Sequence, residues 1–239
     1  MSAWSARRPC VADVLTLGNA LCGVAAILVV SGAEPFDALT MARRFQAAAL
    51  LLLCGTLLDV LDGAAARRWG GTPMGGPLDS LADAITFGVA PVVAVEAYAR
   101  SGASTMEQLL VVGGALVYAA AALVRLADFM SAQQDDHAFV GLPTTSACVA
   151  AVYLGFLSPP PALLAVGLVA LAVMMVSPVA YPTGMGVLAL CLAGWVLGFV
   201  GVVGLVDVRL TGLVSILTIV VFVPLTMYVR ARSVSESAA

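Results

Sequence analysis

From position 11 onward the chain is a succession of apolar runs about as long as a bilayer is thick, separated by clusters of Gly, Pro and polar residues. About 20 apolar residues in a helix cross the ~30 Å of hydrocarbon. That ruler marks eight candidate spans: 11–31, 45–66, 78–99, 109–130, 144–157, 162–176, 185–205 and 210–229. Breakers fall between them at 32–35, 70–77, 141–143, 158–161 and 178–184. The fifth and sixth runs are short, so either they stop early with the Ser158–Pro161 turn inside the interfacial zone, or they merge into a re-entrant hairpin. Backbone polar groups in hydrocarbon must be satisfied within the segment. The expected fold is therefore all-α: a bundle of about eight transmembrane helices forming one domain over 11–230, after an N-terminal segment 1–10 and before a small polar tail, 231–239, expected to be disordered.

Composition agrees with the spans. Hydrophobic residues make up 62% of the chain and charged residues 10%, against about 25% charged in soluble domains. A net charge of −3 supplies no basic field for nucleic acid. The five cysteines (Cys10, Cys22, Cys54, Cys148, Cys191) show no CxxC spacing and read as buried small hydrophobes rather than a disulfide framework. Asp13 and Asn19 interrupt the first run, which favours a retained anchor over a cleaved signal. With the N-terminus inside, the inner side collects Arg7, Arg8, Arg67, Arg68, Arg230 and Arg232, and the outer side Arg43, Arg44, Arg100 and Arg209. This is a weak positive-inside bias, and it places the loop between spans two and three in the cytoplasm.

Against this background stands DVLDGAAARRWGGTPMGGPLDSLAD, residues 59–83, with four carboxylates and two arginines. An ionised Asp at mid-bilayer costs roughly 2.5–3.5 kcal/mol, so four together cost on the order of 10 kcal/mol unless something neutralises them. At about 100° per residue Asp59 and Asp62 share one helix face, and Asp79 and Asp83 stack on consecutive turns. If spans two and three pack as an antiparallel hairpin across the turn-rich 67–77 segment, the two acidic stripes meet in a polar cavity open to the cytoplasmic side. Oxygen-only ligands suit hard cations such as Mg, Ca or Mn rather than Zn, and two divalent ions would balance four carboxylates. Gly63, Ala66, Gly70, Gly71, Gly75 and Gly76 leave room for close backbone approach. Arg67 can meet a phosphate, so the segment reads as a metal-held diphosphate site in which a spare carboxylate accepts a proton from an attacking hydroxyl.

The segment resembles the signature of the CDP-alcohol phosphatidyltransferases, Asp-x2-Asp-Gly-x2-Ala-Arg, eight residues, then Gly-x3-Asp-x3-Asp. Asp59, Asp62, Gly63, Ala66, Arg67, Gly75, Asp79 and Asp83 match it, with seven linker residues in place of eight. The resemblance implies that Asp59, Asp62, Asp79 and Asp83 ligate two divalent cations, Mg or Mn, and that Asp83 is also the general base. It implies that Asp62, Gly63, Ala66, Arg67 and Gly75 line the nucleotide site, and that a phosphatidyl group passes from CDP-diacylglycerol to an alcohol with release of CMP. A homodimer in the cytoplasmic membrane is implied as well.

Stretches 15–23 (LTLGNALCG), 78–91 (LDSLADAITFGVAP), 139–143 (FVGLP) and 175–182 (MVSPVAYP) resemble the phosphatidylserine synthase branch. L-serine is therefore the favoured acceptor, with glycerol 3-phosphate, inositol or inositol phosphate as alternatives. Where that branch usually reads RLARFN, this chain reads RLADFM at 125–130, so Asp128 and Met130 depart from it. Arg125 fits either acceptor or lipid phosphate binding, or pairing with Asp128 at i+3. Asp13 and Asn19 fit either a helix cap or the cavity wall, and His137 reads as a solvated loop residue. Trp4, Trp69, Tyr98, Tyr181 and Tyr228 read as interfacial anchors, and Gly194, Gly198 and Gly201 as helix contacts. A different class, an ion-coupled transporter, would also carry intramembrane carboxylates. Confinement of all four to 25 residues, with no second acidic segment in later spans, favours the enzyme.

Overall fold

The computed structural model describes residues 9–100, 102–132, 141–178, 196, 200–201, 204 and 207–217, and every regular element among them is helical. Helix α1 spans Val11–Ser31, α2 Met41–Trp69, α3 Gly75–Ala99, α4 Thr105–Ala132, α5 Thr144–Leu157, α6 Pro161–Val176 and α7 Val208–Leu217, with a short 3-10 turn at Phe36–Ala38. Four of these, α1 to α4, are long and apolar enough to cross a membrane, whereas α5 and α6 are shorter apolar helices. The first and fifth runs end where expected. The second is longer, because Thr40 caps α2 by accepting from the Arg43 amide at 3.4 Å, and the helix continues to Trp69. Most of the run at 185–205, most of 210–229, His137, Trp4, Tyr181, Tyr228, Cys191, Gly194 and Gly198 lie outside the described residues.

The bundle is polar inside and apolar outside where it holds the acidic segment. On α1 the outward positions Val11, Val14, Leu17, Leu21, Val24 and Leu28 are exposed, while Asp13, Thr16, Asn19, Gly23 and Ala26 are buried. Both sets advance by three or four residues, the spacing of opposite faces of one helix. The expected α2–α3 hairpin is not how the acidic half assembles. α1 packs along the length of α2, and the first half of α3 rests on α1 rather than on α2. The reason is volume: the carboxylates of α2 and α3 need space between their backbones, so the small, polar face of α1 closes the seam. Farther along, α2 and α3 converge, and Phe45, Leu52, Phe87, Val95, Tyr118 and Tyr153 form the apolar core with α4 and α5.

Directly after Asp83, α3 passes through a π-helical turn, Ala84–Val89. The Ala90 amide reaches back to the Ile85 carbonyl, which leaves Thr86 O without its α-helical donor. Pro91 has no amide to give Phe87 O. Side chains from neighbouring helices take both carbonyls: Cys148 Sγ approaches Thr86 O at 3.9 Å and Tyr118 OH donates to Phe87 O at 3.1 Å. Thr86 itself is fully buried and wedges between α1 and α2. A Cβ on Gly23 would stand 2.7 Å from Thr86 Cα, and one on Gly55 2.7 Å from Thr86 Cγ2, so only glycine lets the three backbones meet here.

Candidate active site

The acidic residues come from two helices and meet. Ligand oxygens of Asp59 on α2 and of Asp79 and Asp83 on α3 all lie within 4.8 Å of one another, and Asp59 and Asp83 are within hydrogen-bonding reach of each other. A separation of four positions puts Asp79 and Asp83 on one face of α3, one turn apart. Like charges so close are unfavourable in a poorly hydrated setting, and no cationic side chain forms an ion pair with any of the three among the described residues. Asp79 Oδ1 is buried without a hydrogen-bond partner. An orphaned carboxylate oxygen beside two more carboxylates is the donor set of a hard divalent cation, and these residues fit one.

Asp62 stands beside this trio rather than in it. It is buried at 6% exposure, and its Oδ2 accepts from Thr16 Oγ1 at 2.6 Å, a short bond of the kind charged acceptors make. Its charge is nonetheless felt by Asp59, Asp79 and Asp83.

Helix α1 holds the acidic segment at three successive points. Asp13 closes the N-terminus of α1 by accepting from the Cys10 amide at 2.9 Å and, through its other oxygen, accepts from Thr72 Oγ1 at 3.0 Å. This ties the α2–α3 turn to α1. Thr16 binds Asp62, and Asn19 Nδ2 donates to Asp83 Oδ1 at 3.1 Å. Asp13 and Asn19 thus resolve as a cap and a site wall respectively. Thr16 went unread in the sequence, although its place three residues from each of them was the available signal.

The remaining candidates distribute around this centre. Gly63 is half-buried beneath the Arg67 guanidinium, whose Nη1 would lie 3.4 Å from a Cβ there. Arg67 is exposed at the end of α2, and Ala66 O receives the Gly70 amide at 2.9 Å. Gly75 opens α3 beside Asp13, 3.6 Å from its Oδ1 when a Cβ is built. Arg125 on α4 makes no ion pair with Asp128. Its Nε is buried without a partner, and its guanidinium interacts electrostatically with Asp83 as well as Asp128. Asp128 and Met130 are exposed. Trp69 is 67% exposed with Arg68 6.0 Å from its ring centre. Tyr98 instead stacks on Phe45 at 4.5 Å and belongs to the core edge, because α2 begins before Phe45 and brings its ring alongside. Cys10, Cys22, Cys54 and Cys148 are free thiols.

The sequence profile of the CDP-alcohol phosphatidyltransferases matches residues 9–206. The chain is 34% identical over 175 residues to the CDP-diacylglycerol–serine O-phosphatidyltransferase of Bacillus subtilis (strain 168), covering 73% of this chain and 89% of that protein. It is 33% identical over 182 residues to the archaetidylserine synthase of Methanothermobacter thermautotrophicus, covering 73% of this chain and 71% of the relative. A shorter likeness, 36% over 119 residues, relates it to the CDP-diacylglycerol–serine O-phosphatidyltransferase of Mycobacterium leprae, covering 46% of this chain and 37% of that protein. With apolar helices of membrane-crossing length surrounding a trio of converging carboxylates, this chain belongs to the CDP-alcohol phosphatidyltransferase family.

Proposed function

We propose that this protein transfers a phosphatidyl group from CDP-diacylglycerol to the hydroxyl of L-serine, releasing CMP, at a site built on Asp59, Asp62, Asp79 and Asp83. The observation that carries the reading is the convergence of Asp59, Asp79 and Asp83 from two helices within 4.8 Å, in a chain whose relatives include proteins named for transfer to serine. The four carboxylates would hold two divalent cations, Mg or Mn. When bound, these neutralise charge on the diphosphate and on the departing CMP. Asp83 accepts the proton of the acceptor hydroxyl as its oxygen bonds to the lipid-side phosphorus and the bond to CMP breaks.

Gly63, Ala66 and Gly75 leave space for the nucleotide, and Arg67, at the exposed end of α2, faces its phosphates. Arg125, with its buried unpartnered Nε and its proximity to Asp83, receives the acceptor's carboxylate or the lipid phosphate. The arginine distribution supports an eight-span chain in the cytoplasmic membrane with this site on the cytoplasmic side, and the family resemblance supports a homodimer.

The test is CMP release from CDP-diacylglycerol by the purified protein, with serine, glycerol 3-phosphate and inositol each supplied alone, with and without Mg or Mn. Release that needs metal and appears with serine supports the reading. Release with another acceptor only moves the assignment to that alcohol, and no release with any acceptor removes the transferase function.

A further inference from the structure

The geometry points to Asn19 as a positioning residue that fixes which oxygen of Asp83 is presented to the reacting hydroxyl, an inference that rests on Asp83 being the base. Asn19 is fully buried at the centre of α1's inward face. Its Nδ2 lies 3.1 Å from Asp83 Oδ1. An ionised carboxylate only accepts hydrogen bonds, so the amide edge facing it is the NH2. Oδ1 is thus held by the amide and Oδ2 is the oxygen assigned to the hydroxyl, with Asp59 the other described group within hydrogen-bonding reach of Asp83.

Asn19 also holds the helix on which Asp83 sits. Its main-chain carbonyl accepts from Thr86 Oγ1 at 2.9 Å, inside the π-helical turn that begins at the residue after Asp83. One residue therefore bonds the carboxylate through its side chain and, through its main-chain carbonyl, the Thr86 hydroxyl three residues beyond it. The two grips define both the position and the rotation of the Asp83 side chain. Gly55 lies against the other edge of the amide, where a built Cβ would stand 3.0 Å from Asn19 Oδ1. That oxygen is buried and takes no hydrogen bond, so the amide is held by its NH2 and by packing.

Asn19 bonds the proposed base rather than any group that is transferred, so its contribution is read in turnover at saturating Mn(II). The test uses full-length wild-type protein, Asn19→Leu and Asn19→Ser in detergent. Manganese-competent sites per chain are counted by Mn(II) electron paramagnetic resonance, and CMP release is measured per competent site. The expected result at saturating Mn(II) is a KM for CDP-diacylglycerol within about threefold of wild type, with turnover per occupied site lower by roughly 10- to 100-fold, the scale of a small misplacement at a reacting centre; a loss of turnover that raising Mn(II) restores overturns the inference. A structural role alone would remove sites while leaving turnover per remaining site unchanged, and that result in either variant overturns the inference. Asn19→Ser, with its smaller change in shape, decides the matter if Asn19→Leu folds poorly. Wild-type protein that binds Mn(II) but releases no CMP with any acceptor overturns the transferase reading, and this inference falls with it.

Discussion

Tyr118 donates its hydroxyl to the carbonyl of Phe87 at 3.1 Å across the α3–α4 contact, and it does so because Pro91, four residues after Phe87, has no amide to offer. Both residues are fully buried, so the carbonyl has no recourse to water. Tyr118→Phe keeps the ring and its packing while leaving Phe87 O unsatisfied, which costs about 1–3 kcal/mol. Thermal unfolding in detergent should show a lower midpoint than wild type; an unchanged midpoint would mean that the π-helical turn does not depend on this bond.

The bond between Thr16 and Asp62 makes a separate prediction. At 2.6 Å it orients a carboxylate that sits beside the Asp59, Asp79 and Asp83 group without joining it. Thr16→Val preserves shape and removes the donor. Loss of an outer partner of a metal-binding carboxylate weakens metal affinity by about 10- to 100-fold, so the Mn(II) dissociation constant should rise within that range. If it does not move, Asp62 is not a ligand that Thr16 orients.

Much of this was legible in the residues. Helical period alone put Asp59 with Asp62, and Asp79 with Asp83, on one face of each helix; that the two stripes meet rested on an expected α2–α3 hairpin, and the structure brings Asp59, Asp79 and Asp83 together with Asp62 beside them and α1 between the helices. What the spacing did not reveal was the third wall. Asp13 and Asn19 in the run 11–31 fit either a cap or the cavity wall in the sequence alone, because their partners across the bundle lie 59 to 67 positions away. The π-helical turn was equally hidden, since an inserted residue changes the helix's phase without leaving a compositional mark. Pro91 was its one local sign. Tyr98 was misread for a related reason: nearness to a span end suggests an interfacial anchor, but only the position of α2 shows that Phe45 is there to stack on it.

Glycine at position 23 is required by the approach of two backbones, since a Cβ would stand 2.7 Å from Thr86 Cα and 2.6 Å from its Oγ1. Those atoms belong to a fully buried residue between α1 and α2, and cannot retreat without moving α3. Gly23→Ala should destabilise the fold by about 1–3 kcal/mol, the usual cost of overpacking. It should also lower turnover, because the displaced Thr86 carries the bond to the Asn19 carbonyl. A variant with wild-type stability and wild-type turnover would show that α1 and α3 are not in contact there.

Replacing Asp83 separates charge from shape at the centre of the site. Asp83→Asn retains the side-chain volume and leaves an amide oxygen able to accept from Asn19 Nδ2, so the α1–α3 contact should persist and the unfolding midpoint should stay within a few degrees of wild type. Removing one of three adjacent carboxylates also relieves repulsion among the rest, which works against any loss of stability. Proton acceptance is what disappears. General-base removal typically costs 10²- to 10⁴-fold in rate, and kcat for CMP release should fall by at least about a hundredfold even at saturating Mn(II). The comparison with Asp59→Asn is decisive. Asp59 is proposed as a ligand only, so its replacement should act chiefly on Mn(II) affinity, with part of the lost turnover recovered as Mn(II) is raised. Turnover that recovers equally in both variants would assign Asp83 to metal binding alone and leave the proton to another acceptor.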